Sequence, residues 1–127
     1  TENKIYVGNL NSLRTISDVR DAVKAYFMLV TVKPIFGECY NIGGNKSLTI
    51  KEILEFLISI SSVKHKLKIV KDPGRFRPID ADLQIPDCEK FKSHTRWSPQ
   101  YSYKETLNDL LNYWRKKIKK NKNYLVR

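Results

Sequence analysis

The sequence predicts an α/β fold, with a small sheet and flanking helices. Short β-prone stretches alternate along the chain with longer segments in which apolar residues recur every 3.6 positions. The chain has 127 residues and is 41% hydrophobic, which is enough for one core of ordinary size. No apolar run reaches the roughly 18 residues of a membrane span. The three clearest strands make a sheet that is marginal alone, so we expect another part of a protein to complete it.

The first part of the chain contributes two predicted strands and one helix. Residues 4–7 are apolar and β-prone, and the Gly8-Asn9 turn follows them. Ser17 is the predicted N-cap of an amphipathic helix over residues 17–30. Residues 38–42 are predicted to form a second short strand, which two adjacent glycines end.

The remaining predicted elements are identified by capping boxes, by alternating apolar residues and by a proline at a helix start. In chain order they are a helix from Thr49 to about Ser61, a strand over residues 66–70, a brief strand over residues 83–85, a short helix from Pro86 and a long helix from Ser102 to about Lys119.

The loop from Asp72 to Asp82 carries two arginines, Arg75 and Arg77, on either side of a phenylalanine. Its two prolines exclude a helix or a central strand. The planar guanidinium group suits bidentate capture of phosphate or carboxylate. Arg14 lies on the predicted loop after the first strand, and if the first and third strands are neighbours, the two loops can converge on one phosphate or pyrophosphate. The alternative is a surface turn with solvated charges.

The formal charge of +11 is concentrated at the C-terminal end of the sequence. Residues 115–127 contain seven basic side chains and no acidic one, whereas the rest of the chain has 17 basic and 13 acidic side chains. Such a tail is attracted to nucleic acid or to another anionic surface. Because no aromatic residue interleaves with the basic ones before Tyr124, we favour a solvated terminus. A basic nucleic-acid-binding module remains a distant alternative.

No catalytic or metal-binding motif is complete in the sequence. The Gly-x-Ser-x-Gly, His-Glu-x-x-His and Walker patterns are absent, and Cys39 and Cys88 are too isolated to indicate a zinc site. Tyr113 and Lys117 have the Tyr-x-x-x-Lys spacing that can support proton transfer, but they lie at the end of the last predicted helix, beside the basic tail. We therefore expect neither a catalytic residue nor a metal ligand in this chain.

Several segments, in this order, resemble the C-terminal part of an extended short-chain dehydrogenase/reductase, an NAD-dependent epimerase/dehydratase family. The resemblance spans about residues 6–115. Its segments are Val7-Gly8-Asn9-Leu10, Arg14, Asp18-Val19-Arg20-Asp21, Glu38 to Gly44, Asp72-Pro73, Arg77-Pro78-Ile79-Asp80, Trp97-Ser98-Pro99 and Leu110 to Arg115. Within that superfamily the sequence is most similar to the GDP-mannose 4,6-dehydratases, and next to the GDP-4-keto-6-deoxymannose reductases.

The resemblance implies that the chain is one functional part of a larger enzyme. The N-terminal Rossmann core of such an enzyme holds NADP and the catalytic residues, and it is missing here, in agreement with the lack of an initiator Met. Residues 1–119 would be the C-terminal part that binds the nucleotide sugar, and residues 120–127 a basic tail. The substrate-binding residues carried over by position are Asn9, Arg14, Arg75, Arg77 and Asp80.

The sequence departs from the family pattern at two positions. Thr15 follows Arg14 where the family often has Asp, so a carboxylate that helps to fix the arginine is absent. Arg96 stands before Trp97 where the family usually has Gly, which affects a turn.

The activity implied for the whole enzyme is conversion of GDP-mannose to GDP-4-keto-6-deoxymannose. The sugar C4 hydroxyl is oxidised, water leaves across C5–C6, and the hydride returns to C6. The resemblance also implies a cytoplasmic homo-oligomer with GDP-mannose or a related nucleotide sugar as its partner. The alternatives are a GDP-4-keto-6-deoxymannose reductase and another nucleotide-sugar epimerase or dehydratase. The residues beside the catalytic tyrosine would distinguish these reactions, and they lie outside this sequence.

Overall fold

The computed structural model describes residues 3–33, 35–63, 66–76 and 82–120, which form two small sheets and flanking helices. The predicted α/β class is confirmed. In chain order the elements are β1 (Lys4–Val7), β2 (Leu13–Ile16), α1 (Val19–Thr31), β3 (Lys46–Thr49), α2 (Ile50–Ser59), β4 (Lys68–Lys71), β5 (Leu83–Gln84), α3 (Glu89–Thr95) and α4 (Tyr103–Lys120). A 3₁₀ turn, Pro73–Arg75, follows β4.

The strands form one parallel pair and one mixed sheet. β1 pairs with β4 in parallel, with Lys4 opposite Lys68 and Val7 opposite Lys71. β2 lies between β3, which is antiparallel to it, and β5, which is parallel to it. Because the carboxyl ends of parallel strands meet at one edge, the loops that follow β1 and β4 are adjacent.

The predicted capping boxes of α2 and α4 are confirmed. The Glu52 amide donates to Thr49 Oγ1 at 3.1 Å, and the Thr49 amide donates back to Glu52 Oε2 at 2.7 Å. At α4 the Ser102 amide donates to Glu105 Oε2 at 2.9 Å, and the Glu105 amide donates to Ser102 Oγ at 3.3 Å. Each pair satisfies backbone N–H groups that the first helical turn leaves without an intrahelical acceptor.

The core lies between α1, α3 and the segment that follows α1. Its buried centre is Ala25, Phe91 and Trp97, against which Tyr40 and Ile42 pack. The Trp97 indole N–H donates to the Asp21 carbonyl oxygen at 3.2 Å, which joins the loop after α3 to α1. The Phe91 and Trp97 rings are tilted against each other, with centroids 5.6 Å apart.

Two sequence predictions of strands and loops were wrong. Residues 38–42 form no β-ladder within the described chain, whereas residues 46–49 form β3. The predicted loop that carries Arg14 is instead the strand β2, which pairs with β3. A strand requires a hydrogen-bonded neighbour as well as a β-prone sequence, and β3 has one in β2.

The N-cap of the first helix lies one residue later than predicted, since Asp18 and not Ser17 caps α1. Asp18 Oδ1 accepts from the Arg20 amide at 2.8 Å. The apolar residues that predicted this helix face outward, since only Asp21 and Ala25 are buried in it. No helix in the described part of the chain is long and apolar enough to cross a membrane.

Candidate functional site

A cleft of about 510 Å³ opens beside β2 and β5. Parallel pairing places Arg14 of β2 opposite Gln84 of β5, so that distant parts of the sequence share one wall. Its lining consists of Arg14, Thr15, Ser17, Ile42, Gly43, Leu83, Gln84, Ile85 and Pro86. The volume is in the range of clefts that hold ligands of nucleotide size, roughly 300–1,000 Å³.

Arg14 is the only charged residue in the described lining of the cleft. It is half-buried, and its Nη1 donates to the Leu13 carbonyl oxygen at 2.9 Å. The lining also contains apolar side chains, among which Leu83 and Ile85 are more than half exposed. One guanidinium group beside apolar walls suits a ligand with an anionic group and a flat apolar ring.

Two glycines let the backbone form one side of the cleft. A Cβ atom at Gly43 would lie 2.5 Å from Pro86 Cγ. A Cβ atom at Gly44 would lie only 1.5 Å from the Ile16 carbonyl oxygen. The turn therefore packs directly on the end of β2, which only glycine permits at position 44.

Thr15 joins β2 to both of its neighbouring strands. Its hydroxyl group is 2.9 Å from the Ser47 hydroxyl on β3, and it donates to the Gln84 carbonyl oxygen at 3.3 Å. The position where the family pattern often has Asp is thus occupied by a side chain that holds the sheet together.

Asn9 lies away from the cleft lining, in the loop after β1. Its Nδ2 donates to Ser12 Oγ at 2.8 Å, and its Oδ1 accepts from the Asn11 amide at 2.9 Å. Ser12 is buried, and its carbonyl oxygen accepts from the Ile50 amide at 3.1 Å. Both ends of the Asn9 side chain therefore organise the loop that leads into β2.

Arg75 lies next to that loop, in the 3₁₀ turn after β4. A Cβ atom on Gly8 would lie 2.6 Å from the Arg75 carbonyl oxygen, so the two loops touch. The Arg75 side chain is 58% exposed, and its Nε donates to Asp72 Oδ2 at 3.2 Å. Arg75 does not appear in the described lining of the cleft that contains Arg14.

Arg77 and Asp80 lie outside the described residues. The chain resumes at Asp82, whose carbonyl oxygen accepts from the Leu13 amide at 2.8 Å. This bond brings the end of the arginine-rich loop to the residue before Arg14.

Asp18 and Arg20, which follow the cleft residue Ser17 in the sequence, join the start of α1 to α4. Arg20 donates to both Asp18 oxygens and to Asp109 Oδ2, each at 2.8–2.9 Å, and its guanidinium carbon lies 3.7 Å from the Tyr101 ring centroid. Asp18 Oδ2 also accepts from the Thr106 hydroxyl at 2.7 Å. The hydrogen bonds that Arg20 donates hold the pKa of Asp18 well below its usual range, and the same bonds raise the pKa of Arg20.

The Tyr-x-x-x-Lys pair forms a direct contact outside the cleft. Lys117 Nζ donates to Tyr113 Oη at 2.6 Å on an exposed face of α4. Neither residue lines the cleft in its described part. Within the described ranges, no group of three His, Cys, Asp or Glu residues is arranged to hold a metal ion.

No direct signal in the sequence marks most of the cleft wall. Leu83, Ile85 and Pro86 were predicted as a brief strand and a helix start, without a ligand-binding role. A hydrogen bond joins Thr15 to Gln84, although the two residues are 69 positions apart in the sequence. No local sequence pattern indicates a contact between residues so far apart in the sequence, so only the strand pairing reveals it.

The relatives of this chain are nucleotide-sugar enzymes. The family model described as GDP-mannose 4,6 dehydratase matches residues 1–110. GDP-6-deoxy-D-mannose reductase of Pseudomonas aeruginosa is 28% identical over 117 residues, which are 92% of this chain and 38% of the reductase. The dTDP-glucose 4,6-dehydratase of Haemophilus influenzae is 29% identical over 115 residues, which are 84% of this chain and 34% of that enzyme.

Solved structures give the same result for the fold. The structure of RMD from Pseudomonas aeruginosa complexed with NADPH has a TM-score of 0.80 and 26% identity over 92% of this chain and 37% of that protein. UDP-glucose 4-epimerase of Thermotoga maritima with UDP-glucose has a TM-score of 0.76 and 23% identity over 91% and 36%, respectively. This chain thus spans little more than a third of the length of the relatives that it matches. The match over residues 1–110 shows that the chain belongs to the GDP-mannose 4,6 dehydratase family of extended short-chain dehydrogenases/reductases.

Proposed function

We propose that this chain is the substrate-binding part of a GDP-mannose 4,6-dehydratase, which converts GDP-mannose to GDP-4-keto-6-deoxymannose. The observation that carries the proposal is the cleft in which Arg14 is the only charged residue of the described lining. Arg14 would bind the diphosphate, and the apolar side chains of Leu83 and Ile85 would contact the nucleoside. Family membership supports a nucleotide sugar as the ligand.

The other proposed substrate residues are Arg77, Asp80, Asn9 and Arg75. Arg77 would be a second diphosphate ligand, because its segment leads into Asp82, beside Leu13. Asp80 would orient that arginine or a sugar hydroxyl. Asn9 would shape the nucleotide site through the loop that it organises. Arg75, whose side chain pairs with Asp72, would contact the diphosphate or ribose at the edge of the site.

The role of this chain in catalysis would be to bind and orient the sugar. The sequence contains no Gly-x-Gly-x-x-Gly loop, so we assign NADP and the catalytic residues to the portion of the enzyme that this chain does not span. The cofactor supplies hydride transfer there. Fixed orientation of the nucleotide sugar and neutralisation of its charge by Arg14 would be the contribution of this chain. The whole enzyme would be a cytoplasmic homo-oligomer.

The second candidate is a GDP-4-keto-6-deoxymannose reductase. One observation favours it, namely the 28% identity to the Pseudomonas aeruginosa reductase over 92% of this chain. Both candidates use a GDP-sugar, so they predict the same ligand for the cleft and differ in chemistry outside this chain.

Calorimetric titration of the 127-residue chain with GDP tests the proposed site. We expect Arg14→Ala to weaken GDP binding about 10- to 150-fold, because a hydrogen bond to a charged group contributes roughly 1.5–3 kcal/mol. Arg14→Lys should recover part of the loss, since lysine keeps the charge but not the planar fork.

Lys104→Ala is the matched control, because it removes one positive charge from an exposed position on α4. It should leave the affinity for GDP nearly unchanged. Equal losses of GDP affinity in Arg14→Ala and Lys104→Ala would show that GDP binding depends only on the net charge of the chain. UDP and dTDP should bind more weakly than GDP, and equal affinity for all three would contradict a GDP-sugar enzyme.

A further inference from the structure

The C-terminal part of α4 carries a dense positive charge. Residues 115–120 contain five basic side chains and no acidic one. Residues three or four positions apart lie on the same side of a helix. Lys117 and Lys120 are therefore on one side of α4 with Tyr113, and Lys116 adjoins them. Lys116 and Lys120 are exposed, and Lys117 is half-buried.

Two aromatic side chains adjoin these lysines. Tyr113 is 51% exposed and Trp114 is 44% exposed, and their rings meet edge to face with centroids 5.6 Å apart. Lys117 Nζ donates to Tyr113 Oη at 2.6 Å, and it lies 5.0 Å and 5.5 Å from the ring centroids of Tyr113 and Trp114, respectively. We call this surface the basic-aromatic face. Its members are Tyr113, Trp114, Lys116, Lys117 and Lys120.

The basic-aromatic face is held to the body of the protein. Arg115, which lies within the same segment, donates from Nη2 to the Ile60 carbonyl oxygen at 3.1 Å and from Nη1 to Asn112 Oδ1 at 2.9 Å. Ile60 directly follows α2, so this contact joins the C-terminal ends of the two helices. The match to the family model ends at residue 110, so family membership does not account for the basic-aromatic face.

Aromatic and basic side chains occur together where a protein surface meets a lipid bilayer. The rings of tyrosine and tryptophan are amphipathic and lie at the level of the headgroups. Lysine stems cover apolar surface while their ammonium groups bind anionic headgroups. The helix dipole favours basic residues in a last turn, but it does not account for two exposed aromatic rings beside them.

Single-stranded nucleic acid is a poorer partner for the basic-aromatic face. Binding of this kind stacks successive bases on open ring faces. The Lys117 ammonium group lies over both rings, and the rings of Tyr113 and Trp114 are inclined at 81° to each other. They therefore offer no common plane on which bases stack.

We propose that the basic-aromatic face is a docking surface for a bilayer that contains anionic lipids. Lys116 and Lys120 bind the anionic headgroups, and Trp114 lies among them at the edge of the apolar layer. The charge of +11 on the chain attracts it to such a surface. The inference goes beyond the proposed function and does not depend on it, because residues 113–120 are absent from the described lining of the cleft around Arg14.

Sedimentation of the 127-residue chain with lipid vesicles tests the proposal. We expect the chain to bind vesicles of phosphatidylcholine with phosphatidylglycerol at low salt, and to be released at high salt, which screens the charges. Vesicles of phosphatidylcholine alone are the control. They report any lipid binding through the exposed apolar side chains of α1, which does not depend on headgroup charge.

Tryptophan fluorescence locates the contact. The sequence has two tryptophans, of which Trp97 is 2% exposed and Trp114 is 44% exposed. Because only Trp114 is open to a new environment, anionic vesicles should shift the emission to shorter wavelength. Trp114→Phe keeps an apolar ring, so this variant should still bind the vesicles but without the shift.

The double variant Lys116→Ala/Lys120→Ala should weaken binding to the anionic vesicles about 25-fold, since each lysine near an anionic surface contributes roughly fivefold. The matched control is Lys51→Ala/Lys104→Ala, which removes the same charge from exposed helical positions elsewhere. This control should bind nearly as the parent chain does. Thermal unfolding of both double variants checks that they remain folded.

Four results would overturn the proposal. They are equal binding to neutral and anionic vesicles, vesicle binding without an emission shift, equal losses in the two double variants, and no vesicle binding at low salt. Fluorescence anisotropy with a labelled single-stranded oligonucleotide tests the other polyanion. Tighter binding of the oligonucleotide than of the anionic vesicles, with loss in Lys116→Ala/Lys120→Ala, would assign the basic-aromatic face to nucleic acid instead.

Discussion

At the residue scale, Asp18 is a buried carboxylate that both caps a helix and pairs with an arginine. Its side chain is 3% exposed and accepts hydrogen bonds from the Arg20 amide and guanidinium and from the Thr106 hydroxyl. It therefore holds the start of α1 against α4. Ser17, the residue before it, lines the cleft, so Asp18 anchors the chain next to a residue of the candidate site.

The low pKa of Asp18 predicts a loss of stability in acid. A carboxyl group whose pKa is depressed in the folded state stabilises it above the unfolded value of about 3.9. That contribution is lost as the pH falls from this value towards the lower pKa that Arg20 maintains. Asp18→Asn should remove it, so the free energy of unfolding of the variant should depend less on pH below about 4.

Urea unfolding between pH 3 and pH 7 measures this dependence. Asp109→Asn is the control, because Asp109 also pairs with Arg20 but is 54% exposed. Exposed ion pairs contribute little, so this variant should follow the parent protein. If Asp18→Asn lost stability in acid as steeply as the parent, the role assigned to Asp18 would be wrong.

At the element scale, the turn between residues 42 and 45 adjoins the end of β2 and borders the cleft. Gly44→Ala should destabilise the protein by at least about 1–3 kcal/mol, because a Cβ atom there would overlap the Ile16 carbonyl oxygen and force the backbone to move. Urea denaturation provides the measurement. The variant should also bind GDP more weakly, since Gly43 lines the cleft.

Gly74→Ala is the matched control for this substitution. Its new Cβ atom would meet only the Asp72 carboxylate, at 3.3 Å, which is a side chain that can move. An effect on stability as large as that of Gly44→Ala would show that the backbone contact at Ile16 is not the cause.

Local patterns predicted several elements correctly, because the interactions that form them are local. Thr49 and Glu52 are three residues apart, and so are Ser102 and Glu105, so both capping boxes were visible in the sequence. The strands were harder to predict. β2 was predicted as a loop, since its pairing with β5 depends on residues about 70 positions away.

The candidate site was predicted only in part, because some of its residues come together through contacts that are distant in the sequence. Arg14 was identified by its side-chain chemistry, and the structure places it in the cleft. The apolar wall at Leu83 and Ile85 was missed, because no motif marks it. Whether Asn9, Arg14 and Arg75 contact substrate stays a prediction, as it does for the two proposed residues outside the described chain.

At the scale of the whole molecule, the chain has features of a part that acts with another. Its relatives are more than twice as long, and its sequence lacks a complete catalytic motif. Five large apolar side chains of α1 are exposed, and residues 39–42 take part in no ladder among the described residues. Ile42 joins the cleft around Arg14 to the core, because it lines the first and packs against the second.

The central claim is that the cleft around Arg14 binds the GDP moiety of a nucleotide sugar. The most direct measurement is a titration of the isotope-labelled chain with GDP, followed through its backbone amide NMR signals. We predict saturable shifts at Arg14, Gly43 and Gln84, with much smaller shifts at the basic end of α4 over residues 115–120. No shifts at the cleft under saturating GDP, or shifts confined to residues 115–120, would contradict the account.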